Sequence, residues 1–188
     1  MTCIAAVVDD GRVYMGGDSA GITDDSVLSL GIGSESKIWE SDGILFGCCG
    51  SFRVAQVIRW QMNIPQYNPA AEPLEYLTGG LITAMRDSLR EHGSLITYEE
   101  DSTESIDGGI LVGFMGRVFE IYNDFGVGEL IHGYGSVGCG APVAVGALAA
   151  TEGVDVKPKK RITMALEAAE RHSAGVRGPM TIIQSAKN

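Results

Sequence analysis

The residue best equipped for chemistry is the second in the chain. Thr2 carries a hydroxyl, and loss of Met1, which is usual ahead of a small residue, leaves a free α-amine on that same threonine. An α-amine titrates at about 7.7–8.0 and so serves as an internal base at neutral pH, where a lysine at about 10.4 is largely charged. Such a nucleophile needs helpers: a cation to favour alkoxide and keep the amine deprotonated, a carboxylate to hold that cation, and a backbone N–H to meet the oxyanion. Lys37, Asp18 and the glycine-rich turn Gly47–Gly50 can supply them. The N-terminus shows no secretory signal and no longer leader, so maturation is expected to need only methionine removal, and the cytoplasm is the expected location.

Other motifs compete less well. Gly133-Tyr134-Gly135-Ser136-Val137-Gly138 has the spacing of a dinucleotide-binding turn. That turn requires successive βαβ units, and only one helix-helix-strand segment follows here, so close backbone packing is the expected role. Ser34-Glu35-Ser36-Lys37 matches a serine-lysine nucleophile motif, yet it leads into a strand and lacks the partner motifs. His92, His132 and His172 fall in different elements. The four cysteines, Cys3, Cys48, Cys49 and Cys139, are too few and too irregular for a disulfide or zinc framework and read as buried thiols. Cys3 could act as the nucleophile of a small-molecule amidase only if two residues were removed.

The elements that must position these groups follow from turn chemistry and periodicity. Strands 2–8 and 12–17 flank Asp9-Asp10-Gly11, and the first is apolar on both alternating faces, as in a strand covered on two sides. A second hairpin pairs 37–40 with 44–47 across Ser41-Asp42-Gly43. Val54, Val57, Ile58 and Met62 lie at helical spacing until Asn63-Ile64-Pro65. Leu77, Leu81, Met85 and Leu89 form the stripe of a helix over about 74–91, stopped by Gly93. Glu99–Asp107 reads as a solvated acidic loop, followed by a hairpin of 109–115 with 117–122 and a strand near 127–132. The glycine cluster 133–140 opens a small-residue helix, 142–151. The last helix starts at Lys157-Pro158 with Ile162, Ala165, Leu166 and Ala169 on its stripe, before a strand at 180–183. Mainly antiparallel sheets covered by two helix pairs are expected, an α+β class.

Composition narrows the function. The 188 residues suit one domain spanning 1–188, with 45% apolar and 20% charged residues and no apolar run long enough for a membrane span. Fourteen basic against twenty-four acidic residues give 14 − 24 = −10, a field that repels nucleic acid and anionic lipid. Glycine is abundant, 26 residues, which implies many tight turns or close backbone approaches.

Taken together, Thr2-Cys3-Ile4-Ala5-Ala6-Val7-Val8, Met15-Gly16-Gly17-Asp18-Ser19, Lys37-Ile38, Phe46-Gly47-Cys48-Cys49-Gly50-Ser51 and Gly138-Cys139-Gly140-Ala141-Pro142 resemble the proteasome β-subunit family, above all its bacterial two-ring homologues and small phage or bacterial relatives. The resemblance implies a four-layer αββα sandwich, the N-terminal-nucleophile hydrolase fold. It implies a threonine endopeptidase working inside a homo-oligomeric ring or double ring on peptide or unfolded protein, with an ATPase unfoldase as partner and no obligatory cofactor. Thr2 would be nucleophile and base, Lys37 the tuning cation, Asp18 its partner and Gly50 N–H the oxyanion donor. Ala20, Gly21, Cys48 and Phe52 would border the substrate channel and an apolar first specificity pocket. Two departures stand out. Cys139 replaces the family's serine beside the threonine, with Ser136 a nearby substitute, and Glu170-Arg171-His172-Ser173 fits the family's acid-to-serine pattern only loosely. A cation on backbone carbonyls near Glu170–Val176 is a further family expectation. Because of Cys139, a catalytically silent ring-forming protein of the same fold is the alternative.

Overall fold

The computed structural model describes residues 1–23, 26–29, 36–97 and 103–187. Ser34 and Glu35 of the serine-lysine motif, and residues 99–102 of the acidic stretch, lie outside them. Three tight hairpins organise the sheets. Strand β1 (Ile4–Asp9) turns into β2 (Arg12–Gly17) through Asp10-Gly11, with φ of 46° and 72°. Strands β3 (Ala20–Thr23) and β4 (Ser26–Ser29) follow as a small separate pair. Asp42-Gly43 joins β5 (Ile38–Ser41) to β6 (Ile44–Gly50), and Met115-Gly116 joins β9 (Gly108–Phe114) to β10 (Arg117–Ile121), again with both residues at positive φ. Such turns match the right-handed twist of the strands they connect.

With β11 (Val127–Glu129), β12 (Tyr134–Val137) and β13 (Thr181–Gln184), two antiparallel sheets result, ordered β12-β1-β2-β13 and β11-β10-β9-β6-β5. Helix α1 (Phe52–Trp60) and the run α2 (Pro73–Tyr76), a π-helical Leu77–Leu81 and α3 (Ile82–Glu91) cover the five-stranded sheet. Helices α4 (Ala141–Ala150) and α5 (Pro158–His172) cover the four-stranded one.

Three buried clusters occupy the three interfaces between the four layers. Cys3, just ahead of β1, and Ala5 and Val7 within it face α4 and α5, while Ile4 and Ala6 face the other sheet. In β6, Ile44, Phe46 and Cys48 face the helices and Leu45 faces inward; Ile110 and Val112 against Leu111 repeat the alternation in β9. Alternate side chains of a strand point to opposite faces, so a strand apolar on both faces must lie between two layers. The leucine stripe of the long helix, Leu77, Leu81, Met85 and Leu89, is fully buried as its spacing predicts.

The structure corrects the sequence reading in several places. Tyr134–Val137, expected as part of a glycine loop, is a strand on the edge of β1, with Ile4 opposite Val137 and Val7 opposite Tyr134. A Cβ at Gly135 would stand 2.2 Å from Leu130 Cδ1, so the glycine leaves room for that leucine side chain against the strand. The strand near 127–132 ends at Glu129. The long helix contains a wider turn around Gly79-Gly80, residues with no side chain to hold regular winding. Glu104–Ser105 (β8), within the expected solvated loop, pairs with Ile96–Thr97 (β7), and Ile106 is buried. Glu104 is drawn onto α3 by Arg86 and Arg90. Cys3 and Cys48 are buried and Cys49 half-buried, but Cys139 is exposed.

Candidate active site

The β1–β2 register brings the start of the chain beside Asp18. Ile4 lies opposite Gly17, so Asp18 N donates to the Cys3 carbonyl at 3.2 Å, and Cys3 N returns a bond to Asp18 Oδ1 at 2.9 Å. Lys37, one residue ahead of β5, places Nζ 2.9 Å from the same oxygen. The lysine and aspartate side chains are 2% and 0% exposed. Two buried charges are tolerated only when paired and hydrogen-bonded. Asp18 meets that condition, since Ala20 N and Arg177 N donate to its Oδ2 at 3.2 and 3.4 Å.

The lysine's second contact is the informative one. Nζ also donates to the Met1 carbonyl at 3.2 Å, and Thr2 Oγ1 donates to that carbonyl at 2.6 Å. Ammonium and hydroxyl therefore converge on one atom, which belongs to the residue whose loss would free the Thr2 amine. Thr2 N donates to Cys139 Sγ at 3.3 Å, and the Thr2 carbonyl accepts from Gly140 N at 3.2 Å and from the Cys139 thiol at 3.4 Å.

Gly50 ends β6 with φ of 95°, and a Cβ there would stand 2.1 Å from the Asp107 carbonyl. Only glycine passes this close to the neighbouring backbone. The next residue, Ser51, caps α1 by accepting from Val54 N at 3.5 Å, so the strand turns straight into the helix. The result is a cavity of about 480 Å³ with Thr2, Lys37 and Gly50 on its wall beside Trp39, Cys48, Phe52 and Ala55. Gln56, Arg59 and Trp60 complete the α1 side. The Arg59 guanidinium lies over the Trp39 and Trp60 rings and donates to the Ser36 carbonyl. Burial holds the Arg59 pKa below its usual value.

Of the residues singled out in the sequence, hydrogen bonds bring Thr2, Asp18, Lys37 and Cys139 together, and Gly50, Cys48 and Phe52 share the cavity wall with Thr2. Ser136 stands apart: its hydroxyl donates to the Ile4 carbonyl at 2.6 Å and lies 3.7 Å from Cys3 Sγ. Ala20 and Gly21 are buried and do not line this cavity, and Ala20 contributes its N–H to Asp18. The Cys3 thiol is pushed up to about 11, first by burial, and is therefore a neutral packing group at ordinary pH. Burial raises the Cys48 thiol as well.

Two features escaped the sequence reading. The face of α1 opposite Val54, Val57 and Ile58 lines the cavity, and the helical period that located the buried face could have located this one too. Arg177 was missed because a backbone N–H has no sequence signature. Its side chain occupies the place where the resemblance implies a cation, with Nη1 donating to the carbonyls of Glu170, Ser173 and Val176.

No protein-family model matches the chain, and no curated protein matches its sequence. Solved structures do match in three dimensions. BPH of Thiobacillus denitrificans superposes with a TM-score of 0.80 at 17% identity, over 100% of this chain and 99% of its own. The same protein in complex with epoxomicin gives 0.78 at 17%, over 100% of both chains. HslV from Trypanosoma brucei gives 0.66 at 19%, over 97% of this chain and 98% of its own. With its two antiparallel sheets between helix layers matched end to end by these structures, the chain has the fold of the proteasome β-subunit family, the N-terminal-nucleophile hydrolase sandwich.

Proposed function

We propose that this chain is a threonine endopeptidase that cleaves peptides or unfolded protein inside a ring of its own copies, with Thr2 as nucleophile once Met1 is gone. The observation that carries this reading is the buried Lys37–Asp18 pair whose ammonium shares the Met1 carbonyl with the Thr2 hydroxyl. Departure of Met1 leaves the hydroxyl, the ammonium and a new α-amine facing the same small space. The amine then takes the Oγ1 proton as Oγ1 attacks the scissile carbonyl. Lys37, fixed by Asp18, stabilises the developing negative charge, and the Gly50 N–H meets the oxyanion. The amine passes its proton to the leaving amino group, and the acyl ester on Thr2 is hydrolysed by a water that the same amine deprotonates.

The largely apolar wall of Trp39, Cys48, Phe52 and Ala55 suits an apolar side chain ahead of the cleaved bond. Likeness to BPH, solved in complex with epoxomicin, supports a site on this chain that takes a ligand of that kind. An ATPase unfoldase as partner and a cytoplasmic location belong to the same proposal. Mass spectrometry of the native N-terminus, with turnover of a fluorogenic peptide by wild type and Thr2→Ala, tests it. Loss of one methionine and Thr2-dependent hydrolysis are expected. Intact rings that retain Met1 and cleave nothing would instead establish the silent structural role.

A further inference from the structure

Arg177 lies off the cavity wall, yet its main chain meets the active site at two points. Its N–H donates to Asp18 Oδ2 at 3.4 Å, and its carbonyl accepts from Ser19 N at 3.1 Å. The side chain runs the other way. Nη1 donates to the carbonyls of Glu170 at 3.1 Å, Ser173 at 3.4 Å and Val176 at 2.6 Å. These oxygens belong to the last turn of α5 and the bend after it, where a helix leaves carbonyls without internal partners and its dipole is negative. The loop is fastened again by Glu170 Oε1, which accepts from Gly178 N at 2.9 Å, and by Val176, fully buried against the cluster that contains Cys3.

We propose that Arg177 is a positioning residue, a built-in cation that gathers the three carbonyls at the end of α5 and so sets the place of its own N–H against Asp18. Asp18 in turn fixes the Lys37 ammonium. A guanidinium stays charged at any working pH, so the clamp holds across the whole range in which the Thr2 amine titrates. With two hydrogens on Nη1 and three carbonyls around it, charge on dipole contributes alongside hydrogen bonding. A lysine ammonium at the same place would therefore serve, whereas a neutral amide would not.

The inference rests on the threonine reading, and its test separates the two. Wild type, Arg177→Gln and Arg177→Lys are compared by steady-state kinetics across pH and by amide hydrogen exchange of segments 17–20 and 173–178. In Arg177→Gln, kcat is expected to fall roughly ten- to a hundredfold with KM nearly unchanged, as for a small misplacement of a catalytic group. The pH limb of kcat moves, because the Lys37 charge sets the amine's proton affinity, and both segments exchange faster. Arg177→Lys restores all three readouts. Wild-type kcat in Arg177→Gln, a loss of kcat without movement of the pH limb or of exchange at 17–20, or a lysine variant no better than the glutamine one would each overturn the assignment. If wild type shows no Thr2-dependent turnover, the threonine reading fails by itself and exchange alone decides Arg177. Loosening at 17–20 that lysine reverses sustains the assignment, and unchanged exchange there ends it.

Discussion

At the residue scale, the Lys37–Asp18 pair ties chemistry to stability, and the two can be separated. Removing one member of a buried pair leaves an uncompensated charge, which typically costs about 3–5 kcal/mol. Lys37→Ala is therefore expected to lower unfolding free energy by about that amount and to reduce turnover by at least about a hundredfold. Adding Asp18→Asn should recover part of the stability, since it removes the uncompensated charge while its one amide oxygen still accepts from Cys3 N, but none of the turnover. Denaturant titration and peptide hydrolysis on the same preparations check both halves; full activity in Lys37→Ala would remove the lysine from the mechanism. Cys139 offers a milder test. Its sulfur is a weak acceptor for Thr2 N at 3.3 Å, so Cys139→Ser should hold turnover level or raise it by a few-fold, about 1 kcal/mol at the barrier. Ser136→Ala should leave turnover near wild type, because that hydroxyl bonds the Ile4 carbonyl and not Thr2.

At the element scale, two glycines that look alike in the sequence have opposite expectations. A methyl at Gly50 would meet the Asp107 carbonyl at 2.1 Å in a left-handed backbone conformation. Gly50→Ala should thus cost about 1–3 kcal/mol in strain alone and disturb the N–H assigned to the oxyanion. Gly79, in the wide turn of the long helix, has open space where a Cβ would go. Gly79→Ala should stabilise by about 0.4–1 kcal/mol by restricting the unfolded chain. Thermal melts of the two variants against wild type decide; a stabilised Gly50→Ala would mean the strand-to-helix junction is not built as described.

At the scale of the whole molecule, α4 is the element that a lone subunit leaves unexplained. It contains no polar residue, and only Ala144 and Leu148 are buried, so Pro142, Val145, Ala149 and Ala150 are apolar groups facing outward. A helix apolar all round is normally covered on both sides, here by a neighbouring copy in the proposed ring. Val145→Glu is expected to break or weaken the assembly while leaving the subunit folded. Sedimentation would show the shift in mass, and a wild-type chain that runs as a stable 19.9 kDa monomer at micromolar concentration would refute the ring.

The sequence by itself determined whatever depends on neighbours along the chain. Acid-glycine and Met115-Gly116 pairs marked the three hairpins because turn conformation is local, and the spacing of Leu77, Leu81, Met85 and Leu89 marked a buried helix face because helical period is local. That Thr2, Asp18 and Lys37 belong together was legible because their side chains have the acid-base character the proposed chemistry requires, and hydrogen bonds do join them. The tertiary structure decided what depends on contacts between distant segments. Tyr134–Val137 is a strand only because β1 offers an edge more than a hundred residues away, a pairing that its glycines conceal. The choice between Cys139 and Ser136 as the neighbour of Thr2 N rests on how the end of β12 folds over the start of the chain. Arg177 enters through its backbone and through carbonyls of α5, groups that every residue carries, so no residue type announces them; only packing brings them to Asp18.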